Sequence, residues 1–203
     1  ADVLLGNFVT KRMLYEANNL KLIQIPWTGV DTFDFDAVKD SSVPICNSHS
    51  NANAVAEMGT ALVLDLIKKI SYHDRKMRTG DWNRDQEPLK LKSGMLSNKV
   101  VCVLGYGNIG KKIGKLLNCF GVDIIGVANH KQNHKEVSKF YKSSEWMEAI
   151  KNADICIIAL PLTRETIKLI NSDNISALKK GSLIVNLSRA EIIEETAIYY
   201  ALI

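Results

Sequence analysis

Six residues in the middle of the chain restrict its fold more than any others: Gly105-Tyr106-Gly107-Asn108-Ile109-Gly110. The spacing is G-x-G-x-x-G. The apolar run Val100-Val101-Cys102-Val103-Leu104 leads into it, and Lys111, Ile113, Leu116 and Leu117 follow in a helix-compatible pattern. Glycine-rich turns are common, but a buried strand passing directly into a helix through three spaced glycines is the context of a dinucleotide-binding loop. Gly105 permits the tight turn, Gly107 lets the backbone approach a pyrophosphate, and Gly110 allows close helix–strand packing. Asn108 and Ile109 open the helix, where unpaired N–H groups and the positive dipole end face the phosphates. A purely structural strand–helix turn is the weaker alternative.

Short, continuously apolar runs surround this loop: residues 123–127, 154–160 and 182–187 repeat the character of 100–104. Such runs separated by helices imply a parallel sheet covered on both faces. Upstream, Val3-Leu4-Leu5, Leu22-Ile23-Gln24-Ile25 and Pro44-Ile45-Cys46 read as shorter strands in the same α/β rhythm. Between them lies a Pro26–Asp31 loop in which Gly29 allows unusual backbone angles. Val55, Met58, Ala61, Leu62, Leu66 and Ile70 recur at helical spacing and predict one long helix from Ala54 to Ile70. Residues 71–98 turn polar and read as an excursion and hinge. The expected division is therefore 1–98 and 99–203.

A nicotinamide dinucleotide fold that prefers NAD places an acidic residue about 20 positions beyond the glycine loop, to hold the ribose hydroxyls. Here the strand ends Val127-Ala128-Asn129-His130-Lys131, with no carboxylate. A 2′-phosphate would meet no repulsion there, and His130 or Lys131 would pair with it. The reading favours NADP over NAD; an exposed turn in an NAD-preferring protein is the competing account.

The 203 residues are 46% hydrophobic and 24% charged, which allows a sizeable core. The 26 Lys and Arg are scattered and the net charge is only +4, so nothing points to nucleic acid. No run approaches the ~18 apolar residues that cross a bilayer. The first residues lack the basic and apolar regions of a secretion signal. Cys46, Cys102, Cys119 and Cys156 are widely spaced, without C-x-x-C, and no metal site is read from them. Cys102 and Cys156 sit in strand-like runs, where burial as reduced thiols is expected. A cytoplasmic location follows from these readings.

Several ordered landmarks together resemble the D-isomer-specific 2-hydroxyacid dehydrogenases. They are Gln24 through Gly29-Val30-Asp31, the loop Asn47 to Asn53 running into Ala54-Val55-Ala56-Glu57, Gly80-Asp81-Trp82 and the glycine loop. Ala153-Asp154, Pro161-Leu162-Thr163-Arg164-Glu165-Thr166 and Lys180-Gly181 leading to Asn186-Leu187-Ser188-Arg189-Ala190 complete the set. The resemblance covers essentially the whole chain. It implies a Rossmann-type doubly wound parallel sheet, plus part of a flavodoxin-like α/β substrate domain. It also implies reversible hydride transfer between NAD(P)H and a 2-oxo acid or D-2-hydroxy acid, and a homodimer paired through an arm such as residues 71–96.

By the same resemblance Arg189 grips the substrate carboxylate and polarises its carbonyl oxygen. Guanidinium geometry suits that task, since its planar fork matches a carboxylate. Backbone amides around Trp27, Thr28 and Gly29 form a second carboxylate anchor, with Trp27 bulkier than the family's small residue. Pro161, Thr163 and Thr166 line the cofactor. His49 and His73 match no catalytic position of the family and read as a loop residue and a solvated helix-end residue.

The family's proton-donating histidine and its supporting glutamate lie beyond the N-x-x-R motif, past Ile203. A first strand and helix are expected before Val3. The chain thus reads as the middle of a longer polypeptide. Ala190 stands where the family usually has glycine. A catalytically inactive nucleotide-binding sensor or scaffold of the same fold is the alternative function.

Overall fold

The computed structural model describes residues 1–82, 88, 92–130 and 133–203. The chain forms two compact units, Ala1–Ala52 and Asn53–Ile203, and each is treated by itself.

In the first unit, strands β1 (Val3–Leu5), β2 (Leu22–Gln24) and β3 (Ile45–Cys46) form a parallel sheet in that order. Helices α1 (Lys11–Glu16) and α2 (Phe35–Val38) stand in the two crossings. Each helix starts on a side-chain cap: Thr10 accepts from the Met13 N–H and Asp34 from the Ala37 N–H. Val9, Ile23, Ile25, Phe33 and Val38 form a small core. Gly29 is not among the residues with positive φ, so the loop after β2 does not exploit the freedom expected of it.

The second unit is built on five parallel strands. They are β4 (Val100–Leu104), β5 (Asp123–Ala128), β6 (Val137–Lys142), β7 (Ile155–Ile158) and β8 (Leu183–Asn186). Their spatial order is β6-β5-β4-β7-β8. Numbered from the first strand of the sheet, this is 3-2-1-4-5, the doubly wound order of a Rossmann-type sheet. The inner strands β4, β5 and β7 are buried on both faces, and alternation along the sheet divides two cores. Val101, Val103, Ile124, Ile155, Ile157 and Val185 face one side with Ile113 and Leu117 of α5 (Asn108–Asn118). Cys102, Leu104, Ile125, Val127, Cys156 and Ile158 face the other with Ala149 and Ile150 of α6 (Trp146–Ile150). Cys102 and Cys156 are register neighbours on adjacent strands, both free thiols. Burial pushes Cys102 well up, and pushes Cys156 up to about 12.

Two expectations need correction. The division falls at residue 52, not 98, because α3 (Ala52–Lys68) belongs with the five-stranded sheet. Ala56, Val63 and Ile67 are part of its core. A Cβ on Gly59 would lie 2.5 Å from Leu187 Cδ1 and 3.3 Å from Ile113 Cδ1, so the missing side chain is what lets the helix lie so close. The buried stripe is thus Ala56, Gly59, Val63 and Ile67, whereas Met58 and Leu62 of the expected stripe are exposed, as is Ile70. Nor is the long helix continuous to Ile70. Lys69 adopts left-handed angles (φ 57°, ψ 35°) and separates α3 from α4 (Ile70–Arg78). The polar excursion thus begins as a helix with no buried residue.

Candidate functional site

The central strand β4 ends at the glycine loop, and the three glycines meet different constraints. Gly105 has φ +94°, and a Cβ there would strike the Ala159 carbonyl beyond the end of β7. A Cβ on Gly110 would strike the Gly105 carbonyl, and would lie 3.0 Å from Val103 Cγ1. Backbone crowding therefore requires both. Gly107 differs: a Cβ there would meet nothing within 4 Å. It caps α5 without a side-chain hydrogen bond, and no acidic residue occupies the first turn. The first helical bond is Lys111 N–H to the Gly107 carbonyl at 2.9 Å. The preceding N–H groups of Asn108, Ile109 and Gly110 have no intrahelical acceptor. Gly107 and Asn108 are exposed, Ile109 half-buried and Gly110 buried. An exposed loop with helix-end N–H groups fits a diphosphate, the donor set that a dinucleotide needs.

Beneath the loop, Tyr106 is fully buried and its hydroxyl donates to Glu136 Oε1 at 3.1 Å. Burial, then the adjoining Glu136 carboxylate, push this phenol well above its ordinary value. Gly114 and Gly126 leave room for the ring, since a Cβ on either would press against it. Phe140 and His134 pack on the ring with centroids 6.2 and 5.5 Å away. Sequence reasoning passed over this cluster; the small residues at 114 and 126 are the trace it left.

On either side of the loop lie the other expected contacts. Asn129 and His130 are exposed just past the end of β5, and Lys131 lies outside the described residues. After β7, the loop of residues 161–166 is tied across itself. Thr166 Oγ1 donates to the Pro161 carbonyl at 2.7 Å and accepts from the Thr163 N–H at 2.8 Å. At the end of β8, Asn186 Nδ2 donates to the Arg189 carbonyl at 2.9 Å, and its Oδ1 accepts from the Ser188 N–H at 3.0 Å. Arg189 is exposed, in extended backbone, and its Nη1 donates to the Ser188 carbonyl at 3.3 Å. The glycine loop, the 161–166 loop and Arg189 all follow the carboxyl ends of β4, β7 and β8, the edge where open α/β sheets bind ligands.

In the first unit, the Trp27–Thr28–Gly29 segment is pinned to the loop after β3. Thr28 Oγ1 lies 3.0 Å from the Ser48 carbonyl and 2.9 Å from Asn51 Oδ1, while Asn47 Nδ2 donates to the Thr28 carbonyl at 2.8 Å. Trp27 is half exposed. His49 is an exposed loop residue, whereas His73 lies within α4, its ring edge-on to Tyr72 at 5.2 Å.

Residues 60–203 match the family described as D-isomer specific 2-hydroxyacid dehydrogenase, NAD binding domain. The chain belongs to this family. It is 31% identical over 209 aligned positions to the D-3-phosphoglycerate dehydrogenase of Methanocaldococcus jannaschii, covering 100% of this chain and 39% of that enzyme. The hydroxypyruvate reductase of Thermotoga maritima is 29% identical over 94% of this chain and 60% of its own length. Among solved structures, the NAD-dependent formate dehydrogenase of Staphylococcus aureus in complex with NAD superposes with a TM-score of 0.80 at 28% identity. It covers 99% of this chain and 61% of that one. The chain thus spans less than two thirds of the dehydrogenases it matches. Among the described residues no helix is long and apolar enough to cross a membrane.

Proposed function

We propose that this chain is the cofactor-binding part, with a portion of the substrate domain, of a dehydrogenase or reductase acting on a 2-oxo acid or D-2-hydroxy acid. The observation that carries the reading is the contrast within the glycine loop. Two glycines are required by the fold, and the third opens a space that the fold does not use. In the bound state the nicotinamide ring supplies or accepts the hydride. The N–H groups of Asn108, Ile109 and Gly110 hold the diphosphate, with Gly105 and Gly107 shaping the approach. Asn129, His130 and Lys131 meet the ribose, and their character supports NADP over NAD. Pro161, Thr163 and Thr166 form a wall, stiffened by the Thr166 hydrogen bonds.

Arg189 takes the substrate carboxylate and polarises the oxygen to be reduced; within the first unit, the Trp27–Thr28–Gly29 amides are separately proposed as carboxylate-binding groups. Cytoplasmic residence agrees with four free cysteines, two of them buried. Homodimerisation is supported by the exposed Met58, Leu62, Ile70, Met77 and Trp82 along α3, α4 and the segment beyond, an apolar series that a second copy would cover.

The test is steady-state reduction of glyoxylate, hydroxypyruvate and other 2-oxo acids by the full-length protein, followed through the near-ultraviolet absorbance of NADPH and NADH. Turnover with any of them supports the reading. Tight cofactor binding without turnover on the whole series would leave only a nucleotide sensor.

A further inference from the structure

At the opposite edge of the five-stranded sheet, where β4, β7 and β8 begin, the second unit carries a pocket of about 380 Å³. Lys69, Lys92, Lys99, Lys179 and Lys180 line it, and among the described residues Asp154 is the one carboxylate in the lining. That carboxylate is already engaged: it accepts from the Val100 N–H at 2.9 Å and from Lys179 Nζ at 3.1 Å. Asp65, which acts electrostatically on Lys69, is likewise occupied by the Ser71 N–H and hydroxyl at 2.7 and 2.8 Å. Among the described residues no ion pair involves Lys69, Lys99 or Lys180.

Five lysines line the pocket against one carboxylate that is already paired, so like charge gathers there, and water relieves the repulsion only where it reaches the side chains. Lys69 and Lys99 are half-buried, which weakens the screening. Lys69 also holds a left-handed backbone conformation, uncommon for a residue with a side chain. A concave surface of one sign focuses potential and concentrates counter-ions. Its size is at the lower end of small-molecule sites, roughly 300–1,000 Å³. Ile67 and Leu183 add apolar wall.

We propose that this pocket is a second anion site, taking a diphosphate group either free or carried by a nucleotide. It lies at the amino ends of the strands, away from the glycine loop at their carboxyl ends, and so does not depend on the reading of that loop.

Titration calorimetry on the full-length protein, with inorganic pyrophosphate and ADP as probes, tests the site. Gly107→Asp places a carboxylate in the glycine loop, where a Cβ has open space, and should leave pyrophosphate binding intact. Lys92→Glu combined with Lys180→Glu, both exposed positions, should weaken pyrophosphate by about a hundredfold and leave NADPH and NADH affinity unchanged. Circular dichroism would verify that both variants fold. In the Gly107→Asp protein, ADP binding more tightly than pyrophosphate assigns the site to a nucleotide, and the reverse order to a free diphosphate. Absence of pyrophosphate binding in that variant overturns the proposal, as does binding that the lysine changes leave unmoved. If the lysine variants alter only the sedimentation of the assembly, the lysines serve contact with a second copy and the proposal is wrong.

Discussion

Asn186 holds Arg189 by its backbone. The amide nitrogen of Asn186 donates to the Arg189 carbonyl at 2.9 Å while the amide oxygen accepts from the Ser188 N–H at 3.0 Å, so one side chain closes the whole turn after β8. Arg189→Gln removes the charge and keeps the turn. It should lower kcat/KM by about ten- to a hundredfold, the worth of a charge-assisted contact of roughly 1.5–3 kcal/mol, with cofactor Kd unchanged. Steady-state kinetics beside a fluorescence titration of NADPH would show it. Unaltered kcat/KM would remove Arg189 from the site.

Asn186→Ala keeps the charge and opens the turn. Turnover should fall through misplacement of the guanidinium, and added guanidine should restore little, because the arginine is still present. In Arg189→Ala the same additive should recover more activity. Equal rescue of the two variants would contradict a positioning role for Asn186.

The glycines at 107 and 110 should fail in opposite ways. Gly110→Ala forces a methyl against the Gly105 carbonyl and should cost about 1–3 kcal/mol of stability, read as a lower denaturation midpoint. Gly107→Val finds open space, so its midpoint should move little while dinucleotide affinity drops. A Gly107→Val protein that binds cofactor normally would mean the diphosphate lies elsewhere.

Cofactor choice should turn on position 128, where β5 ends. Ala128→Asp adds a ribose acceptor and a charge that repels a 2′-phosphate, so the kcat/KM ratio for NADPH over NADH should fall by roughly ten- to a hundredfold. The unaltered protein should favour NADPH. A preference for NADH, or a ratio that the substitution leaves in place, would move the ribose contact off this segment.

Asp154 links stability to pH. Burial raises its carboxyl, but the Val100 N–H and the Lys179 ammonium outweigh that, so its pKa lies below the ordinary 3.8. The unfolded chain lacks these contacts and binds the proton more readily. Asp154 therefore contributes stability above the ordinary carboxyl value and loses that contribution as pH falls through its native pKa. Asp154→Asn should be less stable near neutrality, and the gap to the unaltered protein should close as the medium is acidified below about pH 4. A gap that is constant with pH would show that packing, not charge, makes Asp154 matter.

Much of the second unit was legible along the chain. Runs such as 100–104 and 155–158 are apolar throughout because both faces of each strand are covered, and composition alone reveals that. Strand β6 was not, since Val137-Ser138-Lys139-Phe140-Tyr141-Lys142 lies at the sheet edge and keeps polar residues there. The glycine loop was readable because turn, helix start and spacing are all local. The Tyr106–Glu136 bond spans thirty residues and left only two permissive glycines as a sign.

By itself, then, the sequence determined the apolar inner strands and the position of the glycine loop, through periodicity and backbone preference within a few residues. Only the tertiary structure decided that α3 joins the larger sheet, that Met58 faces outward while Gly59 faces in, and that lysines from positions 69 to 180 share one pocket. It also separated Gly107 from its neighbours, as the glycine that the fold leaves open. The reason is physical. Local preference acts through bonds and nearest neighbours, whereas strand order and helix docking are chosen by burying surfaces that are far apart in the chain.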